Sequence, residues 1–458
     1  MPPELPEDVL FLIVKELNLL HRREIGSPPP TLLSQYAGVG RTWNAIIERK
    51  TFSHLRVYSP GHQRPISPAR FKQLMDRDPA RWDALSTVSF YAGYPVNLCS
   101  ERGRSEAGMA VNNEHFSSSV REFWKVLETL DAPDGKARDL LFNTAQVPYD
   151  NSFVPGADAY LHLVGEPLPR LRCLTGFCTN LCDSIWPSSL MHLAASIDGL
   201  TTTRLIFDDD IKDLELLRRY REDLGRCISQ TPTSCTDFSA DFGYYSSGFD
   251  EMPAVAPSTP DTLCIQLRSL SMCLRHLNLE HLRVSPALFW PTTDEQLGDG
   301  TAAAFVPSWP NLESITLILA PLDSYGHFYA DPSPEELESQ LEAREIFQMP
   351  SEVLDRQVPR PERGLHQLIV AAGQAVRSGM PRLQWLRMEQ DNVGPYMNFS
   401  VARHPTRGDP FHLDWHSEPP VPLTEEVLRT WGLEWEACRE YWDKDDPPGW
   451  YKLSAVLP

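Results

Sequence analysis

"LHQLIVAAGQAVRSGMPRLQWL", residues 365–386, is the stretch on which the fold turns. Leu365, Ile369, Ala372 and Val376 recur at spacings of four and three, which places them on one face of a helix. Gly379 reads as a helix C-cap and Pro381 as a stop, since glycine tolerates the left-handed conformation that ends helices and proline cannot extend one. "MPRLQWL" at 380–386 then reads as a strand, so helix, stop and strand make one α/β unit. Two other segments fit the same apolar-Pro-x-Leu-x-x-(Leu/Ile) pattern: "LPRLRCL" at 168–174 and "WPNLESI" at 309–315. "LRHLNLEHL" at 274–282 keeps the leucine spacing without the proline. The anchors Leu171, Leu274, Leu312 and Leu383 are 103, 38 and 71 residues apart, so the repeat is irregular. Further helices are expected at Phe116, Val120, Phe123, Leu127 and Leu130, and at Leu214, Leu217, Tyr220, Leu224 and Ile228. Another is expected from Ser333 through "PEELESQLEAREIF".

Composition narrows the possibilities. The 458 residues include 41% hydrophobic residues and twelve Trp, enough for a sizeable core. Proline stands at 41 residues, about twice the usual share, and is spread along the chain, which implies many short elements. Formal charge is −20, yet residues 1–75 hold ten Lys/Arg against six Asp/Glu, leaving an acidic body. Such a body argues against nucleic acid or an anionic membrane as partner. Nine cysteines without a framework suit reduced thiols in the cytoplasm or nucleus. No run approaches a membrane span, and the acidic start, with Glu4, Glu7 and Asp8, does not suit a signal peptide.

The first 56 residues read as three short helices. "LPEDVLFLIVKEL" at 5–17 starts with Pro6 and places Val9, Ile13, Leu17 and Leu20 along a helix. Thr31 can cap a second helix carrying Leu32, Leu33 and Tyr36, and "RTWNAIIER" supplies a third with Trp43, Ile46 and Ile47. "TFSHLRVYS" leaves as a strand alternating at Phe52, Leu55 and Val57. Nine of the twelve residues from Val9 to Leu20 are apolar, so this helix needs cover on two sides.

Leu-Pro-acidic, a Leu-Leu helix and "VGRTWNAII" in that order resemble an F-box, over about 50 of the 458 residues. The loop through "REIGSPPP" is longer than that family's usual one, and Gly40 stands where the family often has Cys. The resemblance implies a substrate receptor of an SCF-type ubiquitin ligase. Leu5, Pro6, Val9, Ile13, Leu33, Val39 and Trp43 would then face a Skp-type adaptor and, through it, a cullin scaffold. The pattern L-x-x-L-x-L-x-x-L resembles the strand segment of a leucine-rich repeat, whose alternate side chains turn inward; isolated strands of an ordinary α/β domain fit it too. In the solenoid reading the residues between the leucines face a binding surface. That nominates His276, Asn278, Ser314, Thr316, Trp385 and Arg387 for an unknown protein target, with Trp385 and Arg387 the side chains typical of hot spots. F-box heads joined to irregular leucine-rich bodies resemble many proteins of filamentous fungi. The expected organisation is therefore α/β: a three-helix F-box-like head at 1–58, an irregular leucine-rich-repeat-like solenoid at 59–420, and a C-terminal helix and tail at 421–458.

Catalytic constellations are sparse. His412, Asp414 and His416 in "FHLDWHS" share a strand face, and His-x-Asp is part of a 2-His-1-carboxylate iron site, but a polar strand face opposite Phe411, Leu413 and Trp415 explains them as well. Asp208, Asp209 and Asp210 lack calcium-loop spacing and suit the start of a helix at 211–228. Cys173, Cys178 and Cys182 do not have zinc spacing. Glycine-rich nucleotide motifs and the G-x-S-x-G elbow are absent. "GYYSSGFDEMPAVAPSTPDT" at 243–262 reads as a loop. The sequence thus points to a binding protein with no enzyme activity, cofactor or metal. The alternatives are a leucine-rich scaffold without a ligase and a metal-dependent oxygenase.

Overall fold

The computed structural model describes residues 9–10, 12–14, 16, 40–62, 64, 66–98, 100–130, 136–146, 159–180, 184–208, 211, 213–243, 261–291, 306–320, 323–324, 329, 362–390, 396–403, 411–418, 423–433, 439–440 and 451–456. The expected second helix on Thr31, the helix after Ser333 and most of the loop at 243–262 lie outside these. Contacts group the chain into two compact units. The first is Met1–Phe153 with Leu161–Cys182 and Ser196–Leu200; the second is Val154–Tyr160, Asp183–Ala195 and Thr201–Pro458.

The first unit opens with helical residues 9–10, 12–14 and 16 and helix α1 (Arg41–Phe52). There follow β1 (His54–Tyr58), α2 (Pro68–Asp76), α3 (Pro79–Ala84), β2 (Thr87–Tyr94), α4 (Glu101–Arg104) and α5 (Glu106–Thr129), then β3 (Asp139–Gln146) and β4 (Gly176–Thr179). The strands run parallel in sequence order, β1 to β2, β2 to β3 and β3 to β4. Parallel neighbours need a crossover, and α2, α3 and α5 supply it. The core is aromatic. Phe90 stacks on Phe123 at 4.2 Å, and Phe142 meets Phe90, Phe116, Trp124 and Phe177 with ring centroids 5.8–6.3 Å apart. Trp124 is fully buried and donates from Nε1 to Ser196 Oγ at 2.8 Å, so its one polar atom is satisfied. Arg138, also buried, lies 4.3 Å over the Trp82 ring and donates to Trp82 O.

The second unit contains α6 (Pro187–Ala195), β5 (Thr202–Ile206), α7 (Leu214–Cys227), β6 (Asp237–Asp241), α8 (Thr262–Ser271), β7 (His276–Leu282), β8 (Ser314–Leu319) and α9 (Glu362–Gly379). It ends with β9 (Trp385–Gln390), β10 (Tyr396–Arg403), β11 (Phe411–Glu418), α10 (Glu425–Trp431), β12 (Arg439–Glu440) and β13 (Tyr451–Val456). From β5 to β9 the pairing is parallel and sequential; beyond β9 it is antiparallel, in the order β9-β10-β11-β13-β12. Two apolar rows cross these strands. One is Phe238, Leu277, Ile315, Leu386, Val401 and Leu413; the other is Ala240, Leu279, Leu317, Met388, Phe399 and Trp415, all buried. Alternation with period two sends the intervening residues to the opposite face. Helices start on side-chain caps, among them Ser67, Asp78, Ser105, Asp213, Asp261 and Thr424.

Several sequence expectations shift. Leu274, Leu312 and Leu383 are wholly buried but each lies two residues before its strand, so "MPRLQWL" and "WPNLESI" are mostly the approach to β9 and β8. "LPRLRCL" forms no strand: Leu171 makes an isolated bridge to Ile197, and β4 begins only at Gly176. Prolines at positions 169, 310 and 381 fit this, since they cannot donate to a ladder. Phe52 closes α1 rather than opening β1. Asp213, accepting from Leu216 N at 2.9 Å, caps α7, while Asp208 accepts from Tyr160 OH at 2.8 Å. Leu214 is exposed, leaving Leu217, Tyr220, Leu224 and Ile228 as the buried side there. Gly379 is not a left-handed cap, because Gly61, Gly165, Gly243 and Gly432 are the positive-φ glycines among the described residues. It is required for close approach: a Cβ there would meet Pro307 O at 2.5 Å and the Trp309 ring at 2.9 Å. Trp309 N donates to Gly379 O at 2.7 Å, which locks that approach. The left-handed cap belongs to Gly432, where Leu433 N reaches Leu428 O at 2.8 Å in a Schellman pattern.

Candidate interaction surfaces

The described helical residues between Val9 and Glu16 present two faces. Leu10 and Val14, one turn apart, are buried with Ile46 and Ile47, and half-buried Trp43 packs against that cluster. Val9, Leu12, Ile13 and Glu16 fall at i, i+3, i+4 and i+7, the opposite face. There Val9 is 36% and Leu12 57% exposed, and Ile13 is half-buried. An apolar face is thus left without cover by the described residues. Of the nominated adaptor residues, Val9 and Ile13 share this face and Trp43 supports the inner cluster. Leu5, Pro6, Leu33 and Val39 lie outside the described residues. Leu12 was missed by the sequence reading, although its i+3 spacing from Val9 signals it.

The second surface is the polar face of the second unit's strands. His276, Ser314 and Trp385 pair across β7, β8 and β9 in one row, and Asn278, Thr316 and Arg387 form the next. All six residues nominated from the leucine pattern therefore share one face and one register. The rows extend into β10 and β11, through Ala402 to His412 and through Ser400 to Asp414. His416, on β11, follows in a third row that pairs through Asn398 with Glu389.

Hydrogen bonds tie much of this face together. His276 Nδ1 lies 2.8 Å from Ser314 Oγ, and Asn278 donates to Ser239 Oγ at 3.1 Å and Glu280 Oε1 at 2.6 Å. Arg387 is ion-paired to Glu389. Ser314 is buried, Thr316, His276 and Asn278 are half-buried, and Trp385 stands out at 41% exposed. His412, Asp414 and His416 point to the same face while Leu413 and Trp415 are buried opposite. Among the described residues no group of His, Cys, Asp and Glu is arranged to hold a metal ion.

Three buried thiols are held protonated. Burial pushes the Cys227 thiol up to about 12 and Cys235 to about 11, and raises Cys264 well above its ordinary value. Such thiols stay protonated at neutral pH and are poor nucleophiles. In the first unit a cleft of about 400 Å³ between α1 and α3 is lined by Glu48, Arg49, Phe52, Asp78, Arg81 and Lys136, among others. Arg81 crosses it, 2.9 Å from Glu48 and 4.6 Å over the Phe52 ring. It is a braced surface cleft lined by ion pairs. No helix among the described residues is long and apolar enough to cross a membrane.

Set beside known protein families, curated proteins and solved structures, the chain matches none.

Proposed function

We propose that the chain is a non-catalytic substrate receptor of an SCF-type ubiquitin ligase. Its head, residues 1–58, docks a Skp-type adaptor and through it a cullin scaffold, and its body, residues 59–420, holds a protein target. The carrying observation is the exposed Val9/Leu12 face on a helix whose other side is already buried against Ile46 and Ile47. An apolar helix face of this kind is stabilised by a partner. The excess of basic residues in 1–75 suits an acidic adaptor.

The body is read as an irregular leucine-rich-repeat-like solenoid. Parallel strands in sequence order and the common register of His276, Ser314 and Trp385 support that reading. So does the placement of Leu274, Leu312 and Leu383 two residues ahead of their strands. A receptor of this kind acts by raising the effective concentration of target lysines near a separate transfer centre. The nominated target residues are His276, Asn278, Ser314, Thr316, Trp385 and Arg387. The cytoplasm or nucleus is the expected setting.

Co-expression with a Skp-type adaptor tests the head. The wild type is expected to co-purify with it, and the Val9→Asp/Leu12→Asp variant to lose the adaptor while keeping its circular dichroism spectrum. A wild type that stays alone would make the head a cap on the body and favour the scaffold reading.

A further inference from the structure

Among the described residues, the polar face of the second unit has one exposed aromatic. Trp385 is 41% exposed, and its row neighbours are small, Ser314 on β8 and Ala402 on β10. In the next row Thr316 and Ser400 flank Arg387. The indole therefore stands in a shallow trough of small side chains rather than under a covering one. An exposed tryptophan face attracts cations more strongly than any other ring.

Charge on this face leans the same way. Arg387 is taken up by Glu389, so the cation beside Trp385 is already neutralised. Asp414, two strands away and one row along, is half-buried and makes no hydrogen bond or ion pair among the described residues. Asp237, Asp241 and Glu280 add acid on β6 and β7, against Arg204 on β5 and Lys452, in register with His416, on β13. The chain as a whole carries −20, which disfavours an acidic or phosphorylated occupant. Strand spacing of about 4.8 Å and a rise of about 3.3 Å per residue put Trp385 and Asp414 about 12 Å apart. In an extended peptide that is the separation of same-side residues about four positions apart.

We infer that this face docks an extended basic segment of a partner protein, with one Arg or Lys side chain laid over Trp385 and a second, about four residues on, paired with Asp414. The inference rests on reading this face as the target-binding surface and is independent of adaptor docking by the head.

The test is fluorescence anisotropy of the full chain with three fluorescein-labelled twelve-residue peptides. All share a Gly/Ser/Thr background and carry Arg, Glu or Ser at positions 4 and 8. The Arg peptide is expected to bind about tenfold tighter than the Ser peptide, and the Glu peptide most weakly. Trp385→Ala and Asp414→Asn, both surface changes checked by circular dichroism, should each weaken the Arg peptide about fivefold. Glu128→Gln, an exposed acid on α5 in the first unit, should leave it unchanged. Equal affinity for the three peptides, or a preference for Glu, would overturn the inference. So would losses in the Trp385 and Asp414 variants no larger than in Glu128→Gln, since that is diffuse attraction to an acidic chain. Adaptor capture scored on the same preparations separates the two proposals: peptide binding without adaptor sinks only the receptor reading, and adaptor without peptide sinks only this one.

Discussion

His281 Nδ1 lies 3.0 Å from Asp241 Oδ1, joining β7 to β6 at a point where the backbone is strained. His281 has φ of 58°, the left-handed region, and sits where the β7–β8 register shifts between Glu280 and Leu282. A bulge residue normally turns away from its ladder; here it is tied back. Burial pushes the Asp241 carboxyl up, but its bonds from His281 and Gly243 N, with the charges of His281 and Arg204, leave it below its ordinary 3.8.

That gives a pH prediction. A carboxyl whose pKa is depressed by folding contributes stability above its unfolded value, and the contribution disappears as pH falls through the folded value. Wild type should melt above Asp241→Asn at pH 6–7, and the gap should close below about pH 4. A gap unchanged down to pH 3, followed by differential scanning fluorimetry, would show that the pair contributes nothing through ionisation.

Gly379→Ala should destabilise the protein, against helix propensity, which favours Ala over Gly by about 1 kcal/mol. The added Cβ has Pro307 O and the Trp309 ring at 2.5 and 2.9 Å, and Trp309 N is hydrogen-bonded to Gly379 O. A lower urea midpoint is the expected result; a raised one would mean the 307–309 segment moves aside at little cost.

Phe142 touches four other aromatic rings in the first unit and is fully buried. Phe142→Ala should cost about 3–5 kcal/mol through lost burial and the cavity left behind. Chemical denaturation followed by far-ultraviolet circular dichroism reads this directly.

In the head, neighbouring leucines should behave in opposite ways. Leu10 is 3% and Leu12 57% exposed. Leu10→Ala should cost about 2 kcal/mol or more, and Leu12→Ala no more than about 0.5 kcal/mol. Equal losses would place Leu12 in the head's own packing and remove it from any adaptor surface.

Thiol labelling should divide the cysteines by burial. Cys273 is exposed and should react with iodoacetamide in the native protein, whereas Cys264, Cys227 and Cys235 should react only after unfolding. Peptide mapping by mass spectrometry separates them; native labelling of Cys264 would show that the α8 region opens.

The α/β class was legible because period-two and period-3.6 patterns alternate. The helices bury the expected positions from Phe116 to Leu127 and from Leu365 to Ala372, while Leu130 and Val376 at the ends of those faces are only half-buried. The polar face was legible for the same reason: the leucine pattern that nominated His276 through Arg387 is the sheet register itself. Strand starts were not, because a buried Leu before a strand looks like one inside it; Leu383 and Leu386 are equally apolar and equally buried. The role of Gly379 was hidden too, since a cap and a close approach demand the same residue and the partner, Trp309, lies 70 positions away. Strands β2, β3 and β6 escaped notice because Ser89, Asn143 and Ser239 interrupt their apolar runs.

Leu274, Leu312 and Leu383 hold the strand entries in line although the chain between successive anchors grows from 38 to 71 residues. The entropic cost of closing a loop rises by only about 0.6 kcal/mol for each doubling of its length. Chain can accordingly be inserted or removed between one strand entry and the next helix while the side chains across the polar face keep their neighbours. Length at these joints is thus a nearly free variable of the fold, whereas each residue of the face is fixed by the strand register.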